Sequence, residues 1–236
     1  MMAIINMETA TAVCSVALSE KGKTVFEKTS FDGPSHASLL GVFVEEAVKE
    51  AKCRGLAIEA VAVSSGPGSY TGLRIGVSMA KGLCFGWNVP LLSIPTLYIM
   101  ASKAAKRIPP DKDLPESLLC AMIDARRMEV YAAIYDRSLR KVRDTGADIV
   151  TAETYASFLE KRKVFFFGNG AAKCKDVIQS PNASFIEDIY PLASDMATLS
   201  EQTFEEKRFE STAYFDPFYL KDFIATVAKN RIPENK

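Results

Sequence analysis

The residues best placed to do chemistry lie in one run, Ser64-Ser65-Gly66-Pro67-Gly68-Ser69-Tyr70-Thr71-Gly72-Leu73-Arg74-Ile75-Gly76. A strand-like segment precedes it and a helical pattern follows. Its glycines would therefore expose backbone N–H groups at a helix N-terminus, where the helix dipole favours an anion. It matches no standard phosphate fingerprint. G-x-G-x-x-G fails because Gly72 comes one residue late, and the P-loop spacing occurs nowhere. A tight turn closing a strand against a helix is the plainer reading. Behind the loop, Gly72, Gly76 and Ala80 recur every four residues and share one helix face. Small residues there let another helix come close, within the domain or across an interface with another chain. Leu73 and Val77 flank that stripe, and the helix carrying Leu39, Leu40, Phe43 and Ala47 offers a second candidate surface.

Other chemistry is sparse. Glu8 and Thr9, between the first two strand patterns, could hold a phosphate or the water of a bound metal; with Gly68 they are the cofactor-binding candidates. Asp124-Ala125-Arg126-Arg127-Met128-Glu129 joins two strands and could face a cleft, although a solvated hairpin explains it equally. His36 is the sole histidine, too little imidazole for a usual catalytic zinc site. No G-x-S-x-G elbow accompanies it, so a capping or packing role fits better than a hydrolase triad. The five cysteines are odd in number and form no C-x-x-C, which points to a reducing cytoplasm rather than a disulfide framework.

Composition narrows the classes. Lys+Arg and Asp+Glu are both 29, so the zero net charge gives no footprint for duplex nucleic acid. The basic clusters Arg137–Arg143 and Lys161-Arg162-Lys163 read as solvated faces with at most weak RNA contact. With 48% hydrophobic and 25% charged residues the 236-residue chain is an ordinary globular sequence. Its apolar runs, such as Val164–Phe167, fall far short of the ~20 residues needed to span a bilayer. No membrane association is expected, and Met1–Asn6 lacks the basic flank of an export signal.

The elements that must position these residues follow from periodicity. Ala3–Met7, Val13–Leu18 and Lys23–Thr29 read as an antiparallel meander, with Glu20–Lys23 as a hairpin turn. A helix should start at Pro34-Ser35 and end near Gly55, followed by strand Val61–Ser64, a helix over Thr71–Phe85, strand Leu91–Ile94 and a helix from Thr96. The order is βββαβα. Polar, Pro-rich 106–117 reads as the linker between an N-terminal lobe, 1–105, and a C-terminal lobe, 118–236. Strands Leu118–Ile123, Glu129–Tyr135 and Ala147–Val150, helix Ala152–Lys161, strand Val164–Phe167, a helix through Lys175 and a last helix Met196–Phe209 follow. The second half therefore repeats the first in pattern.

The run Ser65–Gly76 closely resembles the signature of the TsaB (YeaZ) family of bacterial tRNA threonylcarbamoyladenosine biosynthesis. Glu8-Thr9-Ala10-Thr11 with Cys14–Leu18, Asp124–Arg127 with Glu129-Val130-Tyr131, Phe167–Ala171 and Pro217–Lys221 resemble further family segments. The resemblance spans most of the chain. It implies an α/β fold of the actin-like, Hsp70-like ATPase (ASKHA) class, with two duplicated lobes of mixed βββαβα sheets. Such a family member is the partner of the related transferase TsaD, which moves a threonylcarbamoyl group onto the adenosine beside the anticodon. Catalytic relatives hold a metal through His-x-x-x-His, and ungapped placement puts Thr96 and Met100 there. Glu8 stands where the fold usually has Asp, one methylene shorter.

These features lead to two expectations. The first is a cytoplasmic, non-catalytic subunit that docks on TsaD through Leu39, Leu40, Phe43, Ala47, Leu73, Gly76, Val77 and Ala80. Its implied partners are TsaE and, through the complex, tRNA. The same helices would pair two copies as a homodimer when TsaD is absent. No cofactor of its own is expected, and a nucleotide at the boundary with TsaD stays open. The alternative is an actin-fold phosphotransferase or ATPase that holds a metal–nucleotide with the Glu8 turn, the Gly68 loop and Asp124.

Overall fold

The computed structural model describes residues 2–33, 35–108 and 116–221. Pro34, most of the expected linker (109–115) and 222–236 of the expected C-terminal lobe lie outside those residues. The first sheet has the order β3-β2-β1-β4-β5. Its strands are β1 (Met2–Glu8), β2 (Cys14–Glu20), β3 (Lys23–Ser30), β4 (Ala57–Ser64) and β5 (Leu91–Ile94). β1, β2 and β3 form the antiparallel meander, while β4 and β5 run parallel to β1. Helix α1 (His36–Cys53) connects β3 to β4, α2 (Tyr70–Trp87) connects β4 to β5, and α3 (Thr96–Arg107) leaves β5.

The second sheet repeats this plan in the order β10-β9-β6-β7-β8. It comprises β6 (Leu118–Asp124), β7 (Glu129–Tyr135), β8 (Lys141–Ile149), β9 (Val164–Phe167) and β10 (Ala183–Ile186). β6, β7 and β8 are antiparallel neighbours; β9 and β10 are parallel to β6. Only α4 (Ala156–Leu159) and a 3₁₀ turn at Ala172–Cys174 stand in the second half where the first has long helices. α5 (Ala197–Glu205), entered through a 3₁₀ turn at Ala193–Met196, comes last. The paired βββαβα sheets are the ASKHA architecture.

Both faces of each sheet are covered, and the period-2 alternation of the strands decides which side chain goes where. Ala3, Ile5 and Met7 of β1 pack with Leu40, Val44 and Ala47 of α1 and Val77, Ala80 and Cys84 of α2. Ile4 points the other way, to Ile99, Met196 and Leu199. In the second sheet Cys120 and Met122 face Tyr155 and Leu159, while Leu119, Ala121 and Ile123 face Leu97, Met100 and Ala104. Thus α3 covers the second sheet and α5 covers the first. This exchange departs from lobes cut at 105 and 118, because apolar stripes at the junction must serve both sheets.

Several elements differ from their expected spans. β8 starts at Lys141 rather than Ala147: as an edge strand it carries Lys141, Arg143 and Asp144, a charged pattern without apolar alternation. The helix expected over Ala152–Lys161 shrinks to α4. Its first residues are held in a turn in which Thr154 Oγ1 accepts from Thr151 N (2.8 Å), a bond that competes with the helix. α5 ends at Glu205, and Lys207 takes a φ of 54° before Arg208 N closes on Thr203 O. Ser35 flanks α1, yet its hydroxyl donates to Gly33 O and caps no helix N–H.

Candidate docking helices and the turn beneath them

The Gly-rich run is a packing junction. Ser65 N donates to Ile94 O (2.9 Å), Gly66 N to Thr96 Oγ1 (3.1 Å) and Ser69 N to Ala10 O (2.7 Å). Ser69 Oγ caps α2 by accepting from Gly72 N (3.3 Å). From the C-terminal side, Phe218 N donates to Ser65 O (2.7 Å). These loop donors are used within the chain, so they do not form the anion cradle that the glycine spacing suggested.

The glycines have a common cause. A Cβ on Gly68 would meet the Ala10 backbone, one on Gly72 the Thr9 carbonyl, and one on Gly76 the Thr9 Oγ1 atom. The three positions, four residues apart, together receive the turn that joins β1 to β2. Thr9 Oγ1 completes the contact by donating to Gly72 O (2.8 Å). Gly66 has a separate reason: its φ of 103° is left-handed and Phe218 O closes over it.

This geometry corrects the expected cofactor trio of Glu8, Thr9 and Gly68. Glu8 and Thr9 are completely buried, and Gly68 lies against Ala10. Glu8 Oε1 accepts from Ala10 N (2.5 Å). Burial, with a smaller push from the Asp195 charge, raises the Glu8 carboxyl from 4.5 to about 8.

The expected interface is corrected as well. Leu40, Ala47, Leu73, Gly76, Val77 and Ala80 are buried within this chain, because their stripes face its own sheet and the Thr9 turn. Leu39 and Phe43 are half-buried against the same core. An arginine at Gly76 would therefore report on folding rather than on docking. The face open to solvent is rotated from this stripe. On α1 it carries Val42, 48% exposed; on α2 it carries Ser78, Gly82, Gly86 and Phe85, which is 87% exposed. Ser78, Gly82 and Gly86 also recur every four residues, the signal from which sequence reading could have found this face. Among the described residues nothing lies within contact distance of a Cβ placed on Gly82 or Gly86. The two helices touch where Gly41 meets the methyl end of Met79.

The other singled-out residues serve the fold. Thr96 and Met100 are buried, the first bonded to the Gly-rich loop and the second against Gly168. His36 Nε2 bonds Thr11 O (2.9 Å), tying α1 to the β1–β2 turn. Asp124, at the end of β6, pairs with Lys173, whose ammonium also donates to Arg127 O and Glu129 O (both 2.7 Å). Arg126 and Arg127 are exposed, with φ values of 70° and 50°. In the basic cluster of β8, Arg143 makes a two-armed pair with Asp148 (2.5 and 2.6 Å) above the Tyr155 ring. Residues 210–221 form a strap. It runs from Leu91, where Glu210 bridges, past Lys81 to Ser65, and its Lys221 pairs with Glu129 of β7. Among the described residues no helix is long and apolar enough to cross a membrane.

Known proteins align with this whole framework. The family described as TsaD, tRNA N6-adenosine threonylcarbamoyltransferase, matches residues 32–229. The tRNA threonylcarbamoyladenosine biosynthesis protein TsaB of Escherichia coli K12 is 29% identical over 231 residues, 95% of this chain and 96% of that protein. A Pseudomonas aeruginosa crystal structure, described as an uncharacterized protein with similarity to peptidase YEAZ, superposes with a TM-score of 0.78 at 26% identity, covering 94% of this chain and all of that one (100%). YeaZ from Pseudomonas aeruginosa does so with a TM-score of 0.73 at 26% identity, covering 93% and 100%. The profile, the full-length relatives and the shared sheets agree: this chain belongs to the TsaD-type threonylcarbamoyltransferase family, within its TsaB (YeaZ) group.

Proposed function

We propose that this chain is a non-catalytic subunit of tRNA threonylcarbamoyladenosine synthesis that binds the transferase TsaD through the solvent face of α1 and α2 and keeps it active. TsaE would be a further partner, tRNA would be met through the complex, and two copies would pair through the same face when TsaD is absent. The observation that carries the reading is the face itself, which the described residues leave unpaired. Val42 and Phe85 stand exposed beside the side-chain-free backbone of Gly82 and Gly86, a surface on which a second helix can pack closely. The positions matched to the metal-binding histidines of catalytic relatives hold Thr96 and Met100, both engaged in packing. A phosphotransferase reading has less support, since the Glu8 carboxyl it needs is sealed from solvent.

The test is co-elution with purified TsaD on a sizing column, together with a threonylcarbamoyl-transfer assay. The wild-type chain should co-elute and should show no transfer alone. Val42→Glu with Phe85→Glu should abolish co-elution while leaving the unfolding midpoint unchanged, because both side chains project into water. Undiminished co-elution of the double variant refutes the surface. Transfer by the solitary chain refutes the non-catalytic role.

A further inference from the structure

The most unusual buried group in the molecule is the Glu8 carboxyl. It is 0% exposed at the end of β1, and one oxygen, Oε1, accepts from Ala10 N. The other, Oε2, has no hydrogen-bond partner among the described residues, and neither does Ser64 Oγ at the end of β4. Ser64 follows Val63, the β4 partner of Met7, so the two strands end with Ser64 beside Glu8. The charged groups around them do not favour a carboxylate. Asp195, on the 3₁₀ turn before α5, adds a negative charge, and the buried Cys14 thiol stands on β2. Asp195 has its own ammonium partner, Lys103 of α3, which donates to Asp195 Oδ2 (2.9 Å) and Tyr190 O (3.3 Å). A fully buried carboxylate without a cation is strongly disfavoured, whereas a neutral acid has one proton to give and one orphan oxygen to give it to.

We propose that Glu8 is held as a neutral acid donating its proton to Ser64 Oγ, and that this proton keeps the β1–β2 turn seated beneath α2. The turn is the immediate neighbour of the acid: Ala10 O accepts from Ser69 N, and Thr9 Oγ1 reaches Gly72 O at the start of the helix. Charging Glu8 draws water to the turn and loosens the N-terminal end of α2. The device is therefore an alkaline release. Its consequence for the docking face rests on the function proposed above; the proton itself does not.

The measurement is urea unfolding of the isolated chain against pH, for wild type and for Glu8→Gln, the neutral isostere. The unfolded carboxyl ionises at its ordinary 4.5 and the folded one at about 8. Between those values folding takes up one proton, so the folding constant should fall about tenfold per pH unit relative to Glu8→Gln and level off above. Parallel curves for the two proteins overturn the proposal. Should Glu8→Gln fail to fold, infrared spectroscopy of the wild type at neutral pH decides. A protonated-carboxyl carbonyl band that shifts in Ser64→Ala supports the proposal, and its absence overturns it. Co-elution with TsaD should weaken as pH rises through about 8 for wild type and persist for Glu8→Gln. If neither protein binds TsaD at any pH, the docking reading falls while the unfolding slope still decides the proton.

Discussion

Replacing single glycines of α2 by alanine should change stability in opposite directions along one helix. At Gly82 a Cβ meets none of the described residues, so alanine simply restricts the unfolded chain and favours helix, a gain of about 0.5–1 kcal/mol. At Gly72 the new Cβ lands on the Thr9 carbonyl, a backbone atom that cannot swing aside. The turn must shift, at about 1–3 kcal/mol for overpacking. The buried bond from Thr9 Oγ1 to Gly72 O is then broken or stretched, and an unsatisfied buried group adds about 1–3 kcal/mol. After subtracting the helix gain, Gly72→Ala should lose about 1–5 kcal/mol. Gly76→Ala should lie between the two, since the obstacle is the Thr9 side-chain oxygen, which can rotate after giving up its bond. Urea midpoints at constant slope measure all three variants. A neutral Gly72→Ala, or a Gly82→Ala as damaging as Gly76→Ala, would show that the glycine spacing answers to something other than the Thr9 turn.

Two more outcomes follow from contacts away from α2. Burial alone would raise the Asp148 carboxyl, but the bonds from Arg143 and Tyr155 outweigh it and hold it below its ordinary 3.8. Its stabilising effect is therefore present above 3.8 and lost as pH falls through the lower folded value. Acid unfolding curves should show Asp148→Asn less stable at neutral pH, with a smaller loss below pH 3.8. Lys81 donates to Ala213 O (3.1 Å) and Phe215 O (3.0 Å) and so pins the strap. Lys81→Met should speed hydrogen exchange in residues 211–219 and leave α5 unchanged; uniform acceleration would count against a local tie.

The sequence carried the sheets more clearly than the site, for a physical reason. Strands such as Leu91–Ile94, Glu129–Tyr135 and Val164–Phe167 are bounded by local signals, and their spans hold in the structure. Four-residue β10 was invisible because a short, half-buried edge strand has no alternation to read. The helix stripe of Gly72, Gly76 and Ala80 was legible as a close approach, but spacing along one helix says nothing about what approaches. The answer for the glycines, Thr9, lies more than sixty residues upstream and reaches α2 only because β1 pairs with β4 in register (Met7 with Val63). Long-range pairing of this kind is set by the whole sheet, so a local stripe of small residues served the turn while a second stripe, Ser78, Gly82 and Gly86, was left facing water. Two such stripes on one helix have different chemistry around them. The inner one receives the carbonyl and hydroxyl of Thr9, which need exact seating, and the outer one is flanked by the bare ring of Phe85. A substitution on the inner stripe should therefore move stability first and binding only as a consequence, whereas one on the outer stripe should move binding alone; measuring both quantities for Gly76→Ala and Phe85→Glu separates the two surfaces.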